Sequence, residues 1–265
     1  MNKIIRLLYT YLPKKWILFL GKSNGLKFLR DLVLRPNNKE VIIDELVTWG
    51  KGKFYFFAPI KVATKAKNKG IENLLLKNTL QLFKNDNFTN PTILDVGSNY
   101  GFISLALQSN LTSQTSIFSF EPHPEIVKAF SRSILKNDIK NIILENVAVG
   151  NDNELIEINL FGQTSNILDT GNKVVQKVKI NQIKLDDYLL DRNIIPNFIK
   201  IDVDGYELNV LKGLQDTINK YKPIMVVETN DSEEVLQFLK NCNYKLLNLN
   251  LKEFKGIPNN VFCIN

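Results

Sequence analysis

The chain has 265 residues, with 34 Lys and Arg against 27 Asp and Glu, one His and a formal charge of +7. That length suits one α/β domain with a lead-in. The positive excess is mostly lysine, spread through a sequence rich in Asn, Ile and Lys. Arginine occurs only at Arg6, Arg30, Arg35, Arg132 and Arg192. Readers of bases and phosphates concentrate arginine, so nucleic acid is not expected as a partner. Cys242 and Cys263 make no metal or disulfide pattern, and His123 is the only histidine, which argues against zinc. Both cysteines read as buried thiols of a reducing cytosol.

Residues 1–35 carry eight Lys and Arg against the single acid Asp31, with two short apolar clusters divided by Pro13-Lys14-Lys15. Neither cluster approaches the ~20 apolar residues of a membrane span, and no signal-peptide cleavage site follows. The protein is therefore expected in the cytoplasm. Two amphipathic helices packing on the main domain, or on a second copy in a homo-oligomer, are the simpler reading. The alternative is docking of residues 1–35 on the anionic inner face of a membrane. Gly50-Lys51-Gly52 marks a turn, 54–57 a short strand, and the basic segment 61–69 a loop. Residues 1–69 are thus a helical and short-strand lead-in to a main domain over 70–265.

Within that domain, apolar spacing predicts a helix over 71–84, followed by alternation. Strands fall at 92–96, 116–121, 141–149, 198–203 and 224–228, with helices at 100–108, 124–136, 207–220 and 231–239. Two extra strands, 154–160 and 174–180, flank a polar loop at Gln163-Thr164-Ser165-Asn166. A short helix covers 185–191, and strands at 244–249 and 261–264 close the chain. This order implies βαβ units and a Rossmann-like, mostly parallel sheet with a reversed terminal strand. Ligands of such sheets sit beyond the carboxyl ends of the strands, where Asp95, Glu121, Asn146 to Ala148, Asp202 and Glu228 stand.

The segment Asp95-Val96-Gly97-Ser98-Asn99-Tyr100-Gly101 joins the first of these strands to its helix. Gly97 permits a sharp turn and close approach of backbone to a ligand, and Gly101 opens the helix. Glu121 ends the next strand, where an acid can accept both hydroxyl hydrogens of a ribose. A dinucleotide fingerprint uses three glycines against pyrophosphate; here the spacing is Gly-x-x-x-Gly, with Asn99 inside it. Asp95 would repel a pyrophosphate but attract the ammonium or sulfonium of S-adenosylmethionine.

With Phe120-Glu121-Pro122, Asn146-Val147-Ala148-Val149-Gly150, Leu185-Asp186-Asp187-Tyr188 and Ile199-Lys200-Ile201-Asp202-Val203-Asp204-Gly205-Tyr206-Glu207, the loop resembles, in order, the motifs of the FkbM family of class I methyltransferases. The resemblance covers 70–265. Asp204 stands where the family usually has Glu, and Ser98 where it usually has Ala. It implies the class I methyltransferase sheet and O-methyl transfer from S-adenosylmethionine to a hydroxyl of a sugar or surface glycan, as in polysaccharide biosynthesis. Rival readings are an NAD(P)-type Rossmann oxidoreductase and a non-catalytic methyltransferase-like scaffold.

Asp202 is the candidate catalytic residue, as a general base or an electrostatic partner of the sulfonium. The cofactor set is Asp95, Gly97, Asn99, Gly101, Glu121, His123, Asn146 and Ala148. Ser165, Asn166, Asp204 and Glu228 are the candidate acceptor contacts. Asp202, Glu228 and Asn230 offer oxygens to a hard cation such as Mg²⁺. Solvated strand-end side chains explain them as simply, so no metal is assigned.

Overall fold

The computed structural model describes residues 41–161, 164–166 and 176–265. The expectations for residues 1–35, and for Gln163 in the polar loop, lie outside them. A hairpin, β1 (Ile42–Trp49) and β2 (Gly52–Pro59), leads into α1 (Ile60–Lys69) and α2 (Asn73–Asn85). The alternating core follows: β3 (Thr92–Val96), α3 (Phe102–Asn110), β4 (Ser116–Phe120), α4 (Pro124–Lys136) and β5 (Ile142–Glu145). Next come β6 (Ala148–Gly150), β7 (Glu154–Phe161), β8 (Thr164–Asn166), β9 (Gln176–Lys184) and α5 (Leu185–Asp191). The chain closes with β10 (Phe198–Ile201), α6 (Glu207–Lys212), α7 (Gln215–Tyr221), β11 (Ile224–Glu228), α8 (Glu233–Asn241), β12 (Lys245–Asn248) and β13 (Asn260–Ile264).

The main sheet has seven strands in the order β12-β13-β11-β10-β3-β4-β5. Strands β11, β10, β3, β4 and β5 pair in parallel, while β13 runs antiparallel to both of its neighbours. This is the class I methyltransferase arrangement, with the last strand of the chain reversed inside the sheet. The parallel strands are buried on both faces, which explains their unbroken apolar runs. Strands β6, β9, β7 and β8 form a second, smaller sheet.

Three local expectations are corrected. The basic stretch 61–69 is helical, not a loop: Ile60, Ala63 and Ala66 recur on one face and are buried, while Lys61, Lys65, Lys67 and Lys69 stay outside. The stretch 141–149 is two strands in different sheets. Asn146, between them, turns its amide back onto the carbonyls of Glu121 and Pro122 at 2.9 and 3.0 Å. The helix over 207–220 is broken into α6 and α7 at Gly213. A Cβ at Gly213 would lie 2.0 Å from the carbonyl oxygen of Gly150, so the residue where α6 meets β6 must lack a side chain. The new helix start is satisfied by Asp186, whose carboxylate accepts from the backbone N–H groups of Asp216 and Thr217 at 2.9 Å each.

The hairpin is fastened to the main sheet's helices. Phe54 and Phe56 meet the ring of Phe102 edge-on at 5.7 and 5.4 Å and share one apolar cluster with Leu105 and Phe130. The outer edge of β2 is closed by side chains of α4 and its C-cap. Asn137 accepts from the Tyr55 N–H and donates to its carbonyl, both at 2.8 Å, and Ser133 Oγ accepts from the Phe57 N–H at 3.0 Å. These bonds occupy an edge that would otherwise invite another strand. Among the described residues no helix is long and apolar enough to cross a membrane. Cys242 and Cys263 are buried and are not joined in a disulfide.

Gly213→Ala tests the need for glycine. Its φ of −72° is ordinary, so any penalty is steric. The methyl group against the Gly150 carbonyl should lower stability by about 1–3 kcal/mol, read as an earlier urea midpoint at unchanged slope.

Candidate functional site

A cleft of about 490 Å³ opens at the carboxyl ends of β3, β4 and β10. Its charged and polar lining includes Ser98, Asn99, Glu121, Asp202, Asp204 and Tyr206. Apolar walls come from Phe120, Pro122, Ile126, Val147 and Ile158. A further wall comes from the lead-in and the start of the main domain: Phe56 of β2, Val62 and Lys65 of α1, and Ile71 and Glu72 before α2.

The loop after β3 is shaped by three left-handed residues, Gly97 (φ 72°), Asn99 (φ 50°) and Gly101 (φ 79°). The N–H groups of Gly97 and Ser98 both donate to the Phe120 carbonyl at 3.0 Å, tying the loop to β4. A Cβ at Gly97 would lie 1.8 Å from the carbonyl oxygen of Asp202, so glycine is required where the two strand ends cross. Gly101 needs its missing side chain for another reason: a Cβ there would strike the Phe130 ring at 2.1 Å.

Glu121 is buried yet lines the cleft. One carboxylate oxygen accepts from the His123 N–H at 2.8 Å and the other from the Asn99 N–H at 2.9 Å. Each oxygen keeps a further lone pair, enough for a vicinal diol. Burial pushes the carboxyl up to about 7, against the pull of the two N–H groups and of Lys200. Ser98 Oγ, also buried on the cleft wall, has no hydrogen-bond partner among the described residues. A buried diol acceptor, an unsatisfied hydroxyl and adjoining apolar walls fit a nucleoside.

Beneath the loop lies Lys200, in the middle of β10 and almost fully buried. Its Nζ donates to the carbonyls of Val96 (3.2 Å) and Gly97 (2.7 Å) and sits 3.4 Å from both Asp95 Oδ1 and Asp202 Oδ2. Burial alone would lower the lysine's affinity for its proton; Asp202 and Asp95 outweigh it, and the net shift is upward. Lys200 is held as a cation.

The carboxylates Asp202, Asp204 and Glu228 bring oxygens within 4.8 Å of one another. Burial, then Asp202, raises Glu228 well above the usual carboxylate range, and burial followed by Asp202 and Glu207 raises Asp204. Protons retained on the cluster relieve its repulsion. Behind it, Glu207 Oε1 accepts from the N–H groups of Val203 and Gly205 at 3.1 Å and from Asn230 Nδ2 at 3.0 Å. Glu207 therefore holds the 203–205 turn.

A Rossmann-like sheet with the class I strand order and a nucleoside-shaped cleft at its switch point defines the class. Residues 95–246 match the family described as "Methyltransferase FkbM domain", more than half of the chain. The chain belongs to that family. It is 24% identical over 176 residues to "Methyltransferase 1" of Beauveria bassiana, covering 57% of this chain and 68% of that protein. It is 26% identical over 176 residues to "Methyltransferase sdnD" of Sordaria araneosa, covering 53% and 67%. A solved FkbM methyltransferase from Methylobacillus flagellatus is 17% identical with a TM-score of 0.47. That match spans 66% of this chain and only 44% of the other.

The structure gathers Gly97, Asn99, Glu121, Ala148, Asp202 and Asp204 on the cleft. It sets others apart. Asp95 is buried beneath the loop, bonded by Ser104 Oγ at 2.6 Å and paired with Lys200, so it does not reach the cleft as a partner for an ammonium group. His123 caps α4, its Nδ1 accepting from the Glu125 N–H at 3.2 Å, and like Gly101 and Asn146 it lies off the lining. Glu228 also stands off the lining, behind Asp202. Asn230 Nδ2 donates to Glu228 and Glu207 at 3.0 Å each. Ser165 and Asn166 fall on β8, which pairs with β7; nothing is described of their side chains. Sequence reasoning missed Lys200 and the wall made by residues before α2. A lysine inside the apolar run Phe198-Ile199-Lys200-Ile201 was the available signal.

Two measurements follow. Lys200→Met leaves Asp95 buried without its cation and should cost about 3–5 kcal/mol of stability; adding Asp95→Asn should recover part of it. For Glu121 the folded value lies above its ordinary 4.5. The folded state therefore holds the extra proton between about pH 4.5 and 7, and stability should fall across that window as pH rises, by on the order of 3 kcal/mol. Unfolding curves of Glu121→Gln should be flatter than wild type over the same range.

Proposed function

We propose that the protein transfers the methyl group of S-adenosylmethionine to a hydroxyl group, with a sugar or surface glycan as acceptor. The observation that carries this reading is Glu121, a buried carboxylate facing the cleft beside the left-handed turn at Gly97 and Asn99. Its free lone pairs would take the ribose hydroxyls, and the unsatisfied Ser98 Oγ would gain a partner. Phe120, Pro122, Ile126 and Val147 offer the apolar surface that an adenine needs. When bound, S-adenosylmethionine supplies an electrophilic methyl group on a sulfonium. Family membership supports methyl transfer over hydride transfer or a non-catalytic role.

Asp202 is the residue for the proton of the acceptor hydroxyl. Its side chain is 42% exposed on the cleft, against 1% for Asp95, so an acceptor can reach it. Lys200 orients it from below. Alignment of the reacting atoms is the main contribution of such a site, and a general base adds ~10²–10⁴-fold. Asp204 and Tyr206 provide polar groups at the same end, suited to a polyhydroxyl acceptor.

The test incubates purified protein with methyl-labelled S-adenosylmethionine and candidate glycans, with and without EDTA because the Asp202 cluster could share a cation. Asp202→Asn should keep S-adenosylhomocysteine binding within about threefold while kcat falls ~10²-fold or more. Glu121→Ala should weaken that binding by about 10²-fold, the loss of two hydrogen bonds to a charged acceptor. Binding of NADH in place of S-adenosylhomocysteine, or undiminished turnover by Asp202→Asn, would defeat the proposal.

A further inference from the structure

The assignment of S-adenosylmethionine raises a question that the buried position of Asp95 makes sharper. That donor ends in an amino acid, with an ammonium and a carboxylate close together. Asp95 would have answered the ammonium from the loop, but its charge is spent on Lys200 and Ser104. Lys200 also lines the cleft, but its proton donors face Val96, Gly97, Asp95 and Asp202. Another pair of opposite charges is needed.

The wall made by residues before α2 has one. Lys65 projects from α1 and Glu72 stands just before α2; both line the cleft and both are solvent-exposed. Neither side chain has a hydrogen bond or ion pair to any described residue, so the two are not paired with each other. Their neighbour Lys67, by contrast, is paired with Glu45 at 2.5 Å. Glu72 is also held in the left-handed region (φ 49°), a conformation that a non-glycine residue rarely adopts. Asn99 and Tyr100, at the loop that leads into α3, line the same cleft.

We propose, resting on the donor assignment above, that Lys65 and Glu72 recognise the amino-acid end of the donor. Lys65 binds its carboxylate and Glu72 its ammonium. Two unpaired opposite charges facing one cavity match a zwitterion, whereas an anionic acceptor would call for Lys65 alone. Lys65 and Glu72 thus complete the donor site from outside the 95–246 segment that matches the family.

The experiment is calorimetric and needs no turnover. S-adenosylhomocysteine carries the amino-acid end and 5′-methylthioadenosine lacks it; both are titrated into wild type, Lys65→Met, Lys65→Arg and Glu72→Gln. Wild type should bind the first at least about tenfold more tightly than the second. Lys65→Met and Glu72→Gln should each weaken S-adenosylhomocysteine by about tenfold, as expected for loss of one charge-assisted bond. Methylthioadenosine should stay within about twofold, and Lys65→Arg should retain most of the affinity. Unchanged S-adenosylhomocysteine binding in both charge-removing variants overturns the assignment. Parallel loss of both ligands overturns it too, as a mere disturbance of the wall. If wild type binds neither ligand, the donor assignment itself fails, and this inference with it.

Discussion

The site rests on one buried ammonium group. Lys200 lies in a parallel strand covered on both faces, where an uncompensated charge would be very costly. It is compensated on every side: Asp95 on one flank, Asp202 on the other, and the carbonyls of Val96 and Gly97 above. Those partners belong to the strand end and turn of β3 and to the end of β10. One lysine therefore fixes the loop proposed to face the donor against the carboxylate proposed to face the acceptor. Gly97 completes the junction, since only a residue without a side chain lets the Asp202 carbonyl pass at that distance. The loop and the catalytic end are a single mechanical unit, and a shift in one must move the other.

The same junction organises the charge of the cleft. Carboxyl groups outnumber cations there, and the structure relieves the excess in two ways. Asp95 is matched by Lys200, deep and permanently. Glu121, Asp204 and Glu228 are instead raised by burial, each retaining its proton to higher pH than an ordinary acid. A bound ribose would donate two hydroxyl hydrogens to Glu121 and so favour its ionised form. A cationic sulfonium nearby would act in the same direction. On the methyl-transfer reading, the cleft is tuned to be more comfortable with its ligand than without it.

How far the sequence revealed this depends on the scale of each signal. The sheet was legible because parallel strands are buried on both faces and write continuous apolar runs between turn residues. Glu121 was legible because a strand end followed by Pro122 fixes where its side chain emerges. The need for glycine at 213 was not: the clash that demands it is with Gly150, far away in the chain. Helix α1 was hidden because its lysines dominate its composition, while the small residues that bury it, Ala63 and Ala66, carry little hydrophobic signal. Asp95 was misplaced for a related reason. A carboxylate before a glycine turn can point up to a ligand or down to a partner. Here the partner is Lys200, 105 residues later and adjacent only because β3 and β10 pair.

That dependence on pairing bears on where specificity resides. The segment matching the family begins at Asp95, yet the cleft is walled in part by Phe56, Val62, Lys65, Ile71 and Glu72. These residues are not a loose cover. The hairpin beneath them shares an apolar cluster with α3 and α4, and its outer edge is bonded by Asn137 and Ser133. The loop, Glu121 and Lys200 are constrained by the sheet and by one another, and few substitutions would fit there. This wall comes from β2, α1 and the turn before α2, outside the pairing of β3 with β10. Its residues can change without disturbing the junction at Lys200. A wall free to change can also take on part of the donor's recognition, and on the proposal above Lys65 and Glu72 are what this chain has put there for the donor's amino-acid end.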